Sequence, residues 1–414
     1  MRVLWFSVTP SLFDEKKYGG WIASLEKIFR KYDNNIDLGI AFEYPLSDFK
    51  FEKDKVIYYP INTPNRVIDK LYEKVNSKYY WEEIKPKMLN IISDFKPDII
   101  QCFGSEWPFG LITEYIDIPV VIHMQGFSNV YNESSELVYS DWEYIRCNCF
   151  NPKVAFTTLT NKLKIKNNLL RERHIMKVNK YFLGRTDWDR MIVSNYSDGK
   201  YYHCSEALRE DIYFGRKWQL SQENKCNIVT ITQAGTLKGN EIILRTAKIL
   251  KEQFNFNFTW NVAGDKDSFK IAERKTGIKH NENNINLLGV IGSKDVAKYL
   301  ASSSMYVHPA IIDNSPNSLC EAQIIGCPVI AANVGGISSL VDDNETGILY
   351  PYNEPHTLAF KIMKLYDDKN HLIEISNNEK EVALKRHNQK DILNNIINIY
   401  YDILSNERNK LYDF

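Results

Sequence analysis

The sequence predicts an α/β protein of two doubly wound, Rossmann-like domains with mostly parallel sheets. Three observations carry this expectation. Short apolar runs alternate with helical patterns along the whole chain. The series strand, glycine turn, helix at Val3–Gly20–Tyr32 restarts at Ile228–Gly239–Glu252. The stretch from Phe214 to Lys225 between them is polar and aperiodic, as a linker is. At 414 residues the chain is also too long for one ordinary core. The expected division is 1–216, 226–390 and a terminal helix, 391–414, that returns to the first domain. Ligands are expected in a cleft that the domains face with the carboxyl ends of their strands.

Each element follows from its pattern. Val3–Val8 is a continuous apolar run closed by Thr9-Pro10, which fits a strand buried on both faces. Trp21–Tyr32 then spaces its apolar residues at helical intervals, as does Tyr80–Phe95. Ile99–Cys102 follows Lys96-Pro97-Asp98, and Val120–Met124 follows Pro119, so both read as strands started by turns. In the second half the strands are Ile228–Thr232, Phe258–Ala263, Ile285–Leu288, Met305–His308 and Val329–Ala332. The helices between and after them are Glu241–Glu252, Lys294–Ser302, Ser318–Gly326 and His356–Tyr366. Asp391–Tyr412 is a long amphipathic helix.

Composition excludes several classes. Hydrophobic residues make up 44% and charged residues 25%, values of a folded domain rather than a disordered one. Lys plus Arg (52) equals Asp plus Glu (52), which argues against a surface built for nucleic acid. No apolar run is long enough to span a bilayer, and the apolar start is too short for a secretory leader. The seven cysteines contain no C-x-x-C pair, and Cys147, Cys149, His203 and Cys204 match no ligand spacing, so no metal is expected. The expected location is cytoplasmic.

No two of the 19 glycines stand at i and i+2, so the dinucleotide fingerprint G-x-G-x-x-G is absent. Gly199-Lys200 lacks the earlier glycine of a Walker loop. What remains is a dense block from Tyr306 to Gly347. Strand Met305–His308 ends at Pro309 and passes through a polar loop to a helix. There Ser315 is the expected N-cap and Pro316 the first helical residue. The free N–H groups of Asn317, Ser318 and Leu319 would then meet a phosphate. Asp313 stands eight positions before Glu321, so both carboxylates are expected to face one ligand.

This block resembles the donor-binding signature of the family-four glycosyltransferases, which have the two-domain GT-B fold. The family's Glu, seven residues, Glu reads here as Asp313-(Asn314 to Cys320)-Glu321, with Asp in the place of the first Glu. Gly326-Cys327-Pro328-Val329-Ile330 and Gly335-Gly336 follow in the family's order. Ala263-Gly264-Asp265, Leu287-Leu288-Gly289, Gly235-Thr236-Leu237-Lys238-Gly239 and Gly19-Gly20-Trp21 resemble its further loops, so the likeness runs nearly the whole chain. The resemblance implies a retaining transfer of a sugar from a nucleotide-sugar, a UDP-sugar by preference, to a glycan or lipid-linked acceptor in cell-surface polysaccharide synthesis. It implies no cofactor and no metal. Lys238 would hold the diphosphate, Asp313 the sugar or its cationic centre, and Glu321 the ribose. Gly20, Gln125, Gly264, Leu288, Gly289, Ser315, Asn317, Ser318 and Leu319 would line the donor. Gln125 stands where many members carry a histidine; His123 lies two residues earlier. Two other readings stay open: an epimerase or hydrolase of the same fold, and a two-domain sugar-binding protein.

Several residues have two readings each. Glu106, after a strand end, contacts the acceptor or caps the following turn. Gly19 belongs to the acceptor loop. Arg185 replaces the family's missing phosphate arginine, or pairs with Asp187 or Asp189. The D-x-D of Asp187-Trp188-Asp189 reads as structural. His308 approaches the nucleotide or satisfies the core. Asn161 to Lys180 carries seven Lys/Arg against one Glu, either a solvated face or a contact with an anionic membrane at its inner side.

Overall fold

The computed structural model describes residues 1–13, 20–32, 35–45, 49–63, 78–221 and 224–412. They form two compact units. The first comprises Met1–Asn129, Thr157–Ala207 and His387–Phe414; the second comprises Val130–Phe156 and Leu208–Arg386.

The first unit is built on β1 (Arg2–Ser7), β2 (Asp37–Tyr44), β3 (Phe51–Lys53), β4 (Val56–Asn62), β5 (Ile99–Phe103), β6 (Val120–His123), β7 (Tyr181–Gly184) and β8 (Lys200–His203). Their order is β3-β4-β2-β1-β5-β6-β7-β8, parallel throughout except for the β3–β4 hairpin. Its helices include α1 (Gly20–Tyr32), α2 (Tyr79–Phe95), α3 (Pro152–Val178) and α4 (Asp187–Tyr196). Strands β2 and β4 have no clean apolar signature. Gly39 interrupts β2 because a Cβ there would lie 2.9 Å from the Phe95 ring, and Pro60 stands inside β4. Edge strand β8 is only half-buried, so it lacks the run that marks a central strand.

The C-terminal helix Gln389–Tyr412 lies on this first sheet. Ile392, Ile396, Ile399 and Ile403 recur at helical spacing and are buried with Trp5 and Phe29. Tyr400 sits among them. The Trp5 indole N–H donates to its hydroxyl at 3.2 Å, and that hydroxyl donates to Gln101 Oε1 at 2.6 Å. At the start of this return, buried His387 meets the Glu206 carbonyl oxygen through Nδ1 at 2.9 Å.

The second unit carries β9 (Cys226–Ile231), β10 (Phe258–Ala263), β11 (Ile285–Gly289), β12 (Met305–His308), β13 (Val329–Ala332) and β14 (Ile348–Tyr350). All are parallel in the order β11-β10-β9-β12-β13-β14, so the winding reverses between β9 and β12. Its helices include α5 (Asn240–Glu252), α6 (Lys266–Thr276), α7 (Ser293–Ser302), α8 (Asn317–Ile325), α9 (Pro355–Asp367) and α10 (Lys369–Arg386). The segment from 130 to 156 packs on α6: Arg274 donates to the Cys147 carbonyl at 2.9 Å, and Lys275 covers the Tyr139 ring at 3.9 Å. Among the described residues no helix is long and apolar enough to cross a membrane.

Candidate functional site

A doubly wound sheet leaves a crevice where its winding reverses, because the loops on either side turn away from one another. In the second unit these are the loops after β9 and β12. The first ends in a short 3₁₀ turn, Thr236–Lys238, and the second holds Asp313. Gly239 lets the loops meet. Its φ is 74°, and a Cβ there would fall 1.9 Å from the Pro309 carbonyl oxygen. The Ile311 N–H donates to the Leu237 oxygen at 2.9 Å and fixes the pair.

Lys238 Nζ consequently reaches Asp313 Oδ2 at 2.8 Å, and His308 Nε2 stands 3.4 Å from the same oxygen. Burial alone would raise the Asp313 pKa. The Lys238 ammonium and the neighbouring His308 outweigh it and hold the carboxyl well below the usual range. Asp313 is therefore an anion at neutral pH. It can accept a hydroxyl or face a developing positive charge, but it holds no proton to give. Its main-chain oxygen accepts the Gly336 N–H at 3.0 Å. Gly335, at φ 52°, lets the chain pass where a Cβ would be 2.0 Å from that oxygen.

The entry to α8 differs from the expected cap. Pro316 is the capping residue, with φ −71° and ψ 119°, and no side chain caps the helix. Ser315 is buried, its hydroxyl 4.0 Å from the Cys320 sulfur. A proline in the extended conformation already turns the chain into the helix without a hydroxyl cap. The N–H of Leu319 donates to the Pro316 oxygen at 3.0 Å, so it is not available to a ligand as the sequence reading supposed. Ser318 accepts the Tyr306 hydroxyl at 2.9 Å, and Asn317 Oδ1 is a buried acceptor with no hydrogen-bond partner.

Glu321 stands on α8, eight positions after Asp313. It is 2% exposed, and Arg209 clamps it with two bonds: Nε to Oε1 at 2.7 Å and Nη2 to Oε2 at 2.6 Å. Sequence reading missed Arg209 because it belongs to no motif and lies 112 positions upstream of its partner. At the other end of the sheet Gly264 donates its N–H to the Gly289 oxygen at 2.9 Å, beside half-buried Leu288. Asp265 caps α6, accepting the Ser268 N–H at 2.8 Å.

In the first unit the winding reverses between β1 and β5. Gly20 opens α1 after β1; Gly19 lies outside the described residues. Glu106 follows β5. It is not the cap of the 3₁₀ turn Pro108–Tyr115; that residue is Trp107, which makes no side-chain capping bond. Its Oε2 is buried without a partner. Burial, reinforced by the nearby Glu172 carboxylate and opposed by Arg185, pushes the Glu106 carboxyl up to about 7. The stability tied to its proton is complete below the ordinary value of 4.5 and is lost as pH rises through about 7. Glu106→Gln is expected to reduce the fall in stability between pH 5 and pH 8 by about 3 kcal/mol. Denaturant midpoints at the two pH values check this; parallel slopes for variant and wild type would refute it.

Arg185, after β7, pairs with neither Asp187 nor Asp189. Its Nη2 donates to the Gln125 carbonyl at 3.0 Å and its guanidinium lies over the Trp21 ring at 5.2 Å. Asp187 instead pairs with Arg190 at 2.8 Å, and Asp189 accepts the Arg185 main-chain N–H at 2.8 Å. Both acids of the D-x-D thus serve the first turn of α4.

Proton bookkeeping identifies one more group. The Trp5 indole can only donate, so the Tyr400 hydroxyl accepts from it and gives its own proton to Gln101 Oε1. The Gln101 amide nitrogen is then the group facing His123 Nδ1, at 3.2 Å, and it donates. His123 must carry its proton on Nε2, which is buried without a partner. Burial and the Arg185 charge hold the ring neutral, well below its usual pKa.

Residues 215–382 match the family described as Glycosyl transferases group 1. An uncharacterized 41.2 kDa protein in the cps region of Klebsiella pneumoniae is 25% identical over 185 residues, 43% of this chain and 47% of that protein. The amylovoran biosynthesis glycosyltransferase AmsK of Erwinia amylovora is 23% identical over 187 residues, 43% of this chain and 45% of that one. The chain thus spans about half the length of these curated relatives. Among solved structures, sucrose-phosphate synthase from Thermosynechococcus elongatus superposes with a TM-score of 0.74 at 15% identity, covering 98% of this chain and 99% of that one. HepE of Anabaena, solved with UDP-glucose, gives 0.62 at 15% identity and covers 100% of both. The fold is therefore the GT-B fold, two Rossmann-like units with the last helix returned to the first, and its second unit carries the match to the group 1 glycosyl transferases.

Proposed function

We propose that this chain is a metal-independent, retaining glycosyltransferase of the family-four type. It moves a glycosyl group from a nucleotide-sugar, a UDP-sugar by preference, to a hydroxyl of a glycan or lipid-linked acceptor in cell-surface polysaccharide synthesis. The observation that carries the reading is Lys238 beside an ionised Asp313 at the winding reversal of the group 1 segment. HepE, of the same fold, was solved with UDP-glucose, and AmsK is named for amylovoran biosynthesis.

In this reading Lys238 and the N–H groups of Asn317 and Ser318 face the diphosphate, where negative charge grows as the glycosyl bond breaks. Ser315, Gly264, Leu288 and Gly289 border the nucleotide, and Glu321, held by Arg209, meets the ribose. Asp313 faces the cationic anomeric carbon. The acceptor oxygen forms its bond to that carbon while the bond to the phosphate oxygen breaks, and the acceptor proton passes to the departing phosphate. Gly20 and Gln125 serve the donor; Gly19, Glu106 and Arg185 serve the acceptor. The neutral His123, with its proton on Nε2, adds a donor beside Gln125. Work at the cytoplasmic side of a membrane follows if the acceptor is lipid-linked.

A panel of nucleotides and nucleotide-sugars scored by thermal shift tests this. UDP-sugars are expected to raise Tm. Asp313→Asn should keep that shift while losing at least tenfold in slow donor hydrolysis. No shift with any nucleotide would sink the reading, and hydrolysis that never yields to transfer with any acceptor would favour a hydrolase.

A further inference from the structure

The two oxygens of Asp313 are held in different ways. Oδ1 accepts the main-chain N–H of Asn314 at 3.1 Å, while Oδ2 faces Lys238 at 2.8 Å and His308 at 3.4 Å. The Lys238 contact is a formed ion pair that comes from the loop after β9. The His308 contact comes from the end of β12 and is longer than a formed N–H···O bond. A carboxylate anion has only lone pairs to offer, so the ring nitrogen nearest it carries hydrogen. That nitrogen, Nε2, is buried and makes no other hydrogen bond among the described residues. A histidine placed only to fill the core would not leave a buried N–H unspent, because that costs stability.

The ring is fixed from its other side. Nδ1 meets the Tyr306 hydroxyl at 3.1 Å, and that hydroxyl reaches Ser318 Oγ, at the start of α8, at 2.9 Å. Tyr306 is fully buried, and its ring stacks on His308 with centroids 6.2 Å apart. His308 itself is buried. The imidazole therefore has no room to swing towards another acceptor, and it keeps Nε2 aimed at Asp313.

In the proposed reaction two anions compete for Lys238. An ammonium has three N–H groups but a single charge. A diphosphate bound at Lys238 draws on the charge that Asp313 holds in its absence. Asp313 would be loosened just when it has to face the anomeric carbon. We propose that His308 is a positioning residue that takes over the hold on Asp313 as the diphosphate draws on Lys238, its Nε2–H closing on Oδ2 to a formed hydrogen bond. Oδ1 is left to face the sugar. The inference rests on the donor reading for its trigger, while the hold of His308 on Asp313 can be tested without any nucleotide.

Isotope-edited NMR of the histidine-labelled full chain reads the Nε2 hydrogen of His308 directly, assigned by its loss in His308→Gln. Saturating UDP is expected to move that signal downfield, the direction of a shortened bond to a carboxylate. Asp313→Asn should abolish the movement, and Lys238→Ala should show the moved signal with no nucleotide present. In donor hydrolysis, His308→Leu should lower kcat about tenfold and change KM by less than about threefold. His308→Gln keeps an N–H at similar reach and should recover most of the loss. In an Asp313→Asn background, His308→Leu should cost less than about twofold more, because the group it positions is gone. A signal that stays in place while UDP raises Tm would overturn the proposal. So would losses that simply multiply in the double variant, or a glutamine variant no better than the leucine one. If no nucleotide or nucleotide-sugar raises Tm while Lys238→Ala still moves the signal, the hold on Asp313 stands and the donor reading falls.

Discussion

Replacing Arg209 by alanine is expected to destabilise the second unit by about 2–3 kcal/mol. Glu321 is almost wholly buried, and both of its oxygens are spent on the Arg209 fork. Truncation leaves a desolvated carboxylate with no counter-charge, which for a fully buried pair costs about 3–5 kcal/mol. The lower figure applies because the Arg209 side chain keeps 32% of its surface in water. Arg209→Lys restores the charge without the fork and should recover part of the lost stability. Replacing Arg209 and Glu321 together by Met and Leu should recover most of the stability and none of the donor binding. Denaturant unfolding of the four proteins measures this, and an Arg209→Ala midpoint equal to wild type would show that Glu321 has another source of compensation.

Lys238→Ala should cut glycosyl transfer about 10²–10³-fold at saturating donor, the loss that follows removal of one fixed donor from developing negative charge. Lys238 is held by its ion pair with Asp313 and by the close approach of its loop to Pro309. On the proposed reaction its ammonium needs little reorganisation as charge grows on the diphosphate. The variant also removes the main force that keeps Asp313 ionised, so its residual activity should shift to higher pH. Lys238→Arg should fall between the two, and a pH–rate profile with kcat separates the effects. A loss below fivefold would place the diphosphate charge on other groups.

The parallel α/β layout was legible because central strands buried on both faces leave continuous apolar runs. Strands β2 and β4 escaped because what they need locally, a glycine under Phe95 and a proline within the run, masks that signal. In the candidate site, Lys238 and the loop glycines were picked out by the resemblance of their motifs to the family-four signature and Asp313 by its spacing to Glu321, and the structure brings Lys238 beside Asp313. The longer-range partners were not legible. Arg209 reaches Glu321 across 112 positions, and no spacing rule spans that distance. Serine chemistry pointed to Ser315 as the cap, but the extended Pro316 takes that place. Position before Gly126 pointed to Gln125, whereas His123 is singled out only by following protons from Trp5 through Tyr400 and Gln101.

The bond between His387 and the Glu206 oxygen has a wider consequence. The chain leaves the first unit after Ala207 and re-enters it at His387, so exit and return stand side by side at a neck. The stretch 208–386 is an insertion rather than a C-terminal half, and the second unit takes a further piece, Val130–Phe156, from within the first. A chimera that takes its second unit from a relative should be cut at both sides of the neck, should exchange 130–156 along with 208–386, and should leave the final helix native. Cutting once, near the linker, would also replace Tyr400, and with it the hydroxyl that decides which nitrogen of His123 carries hydrogen.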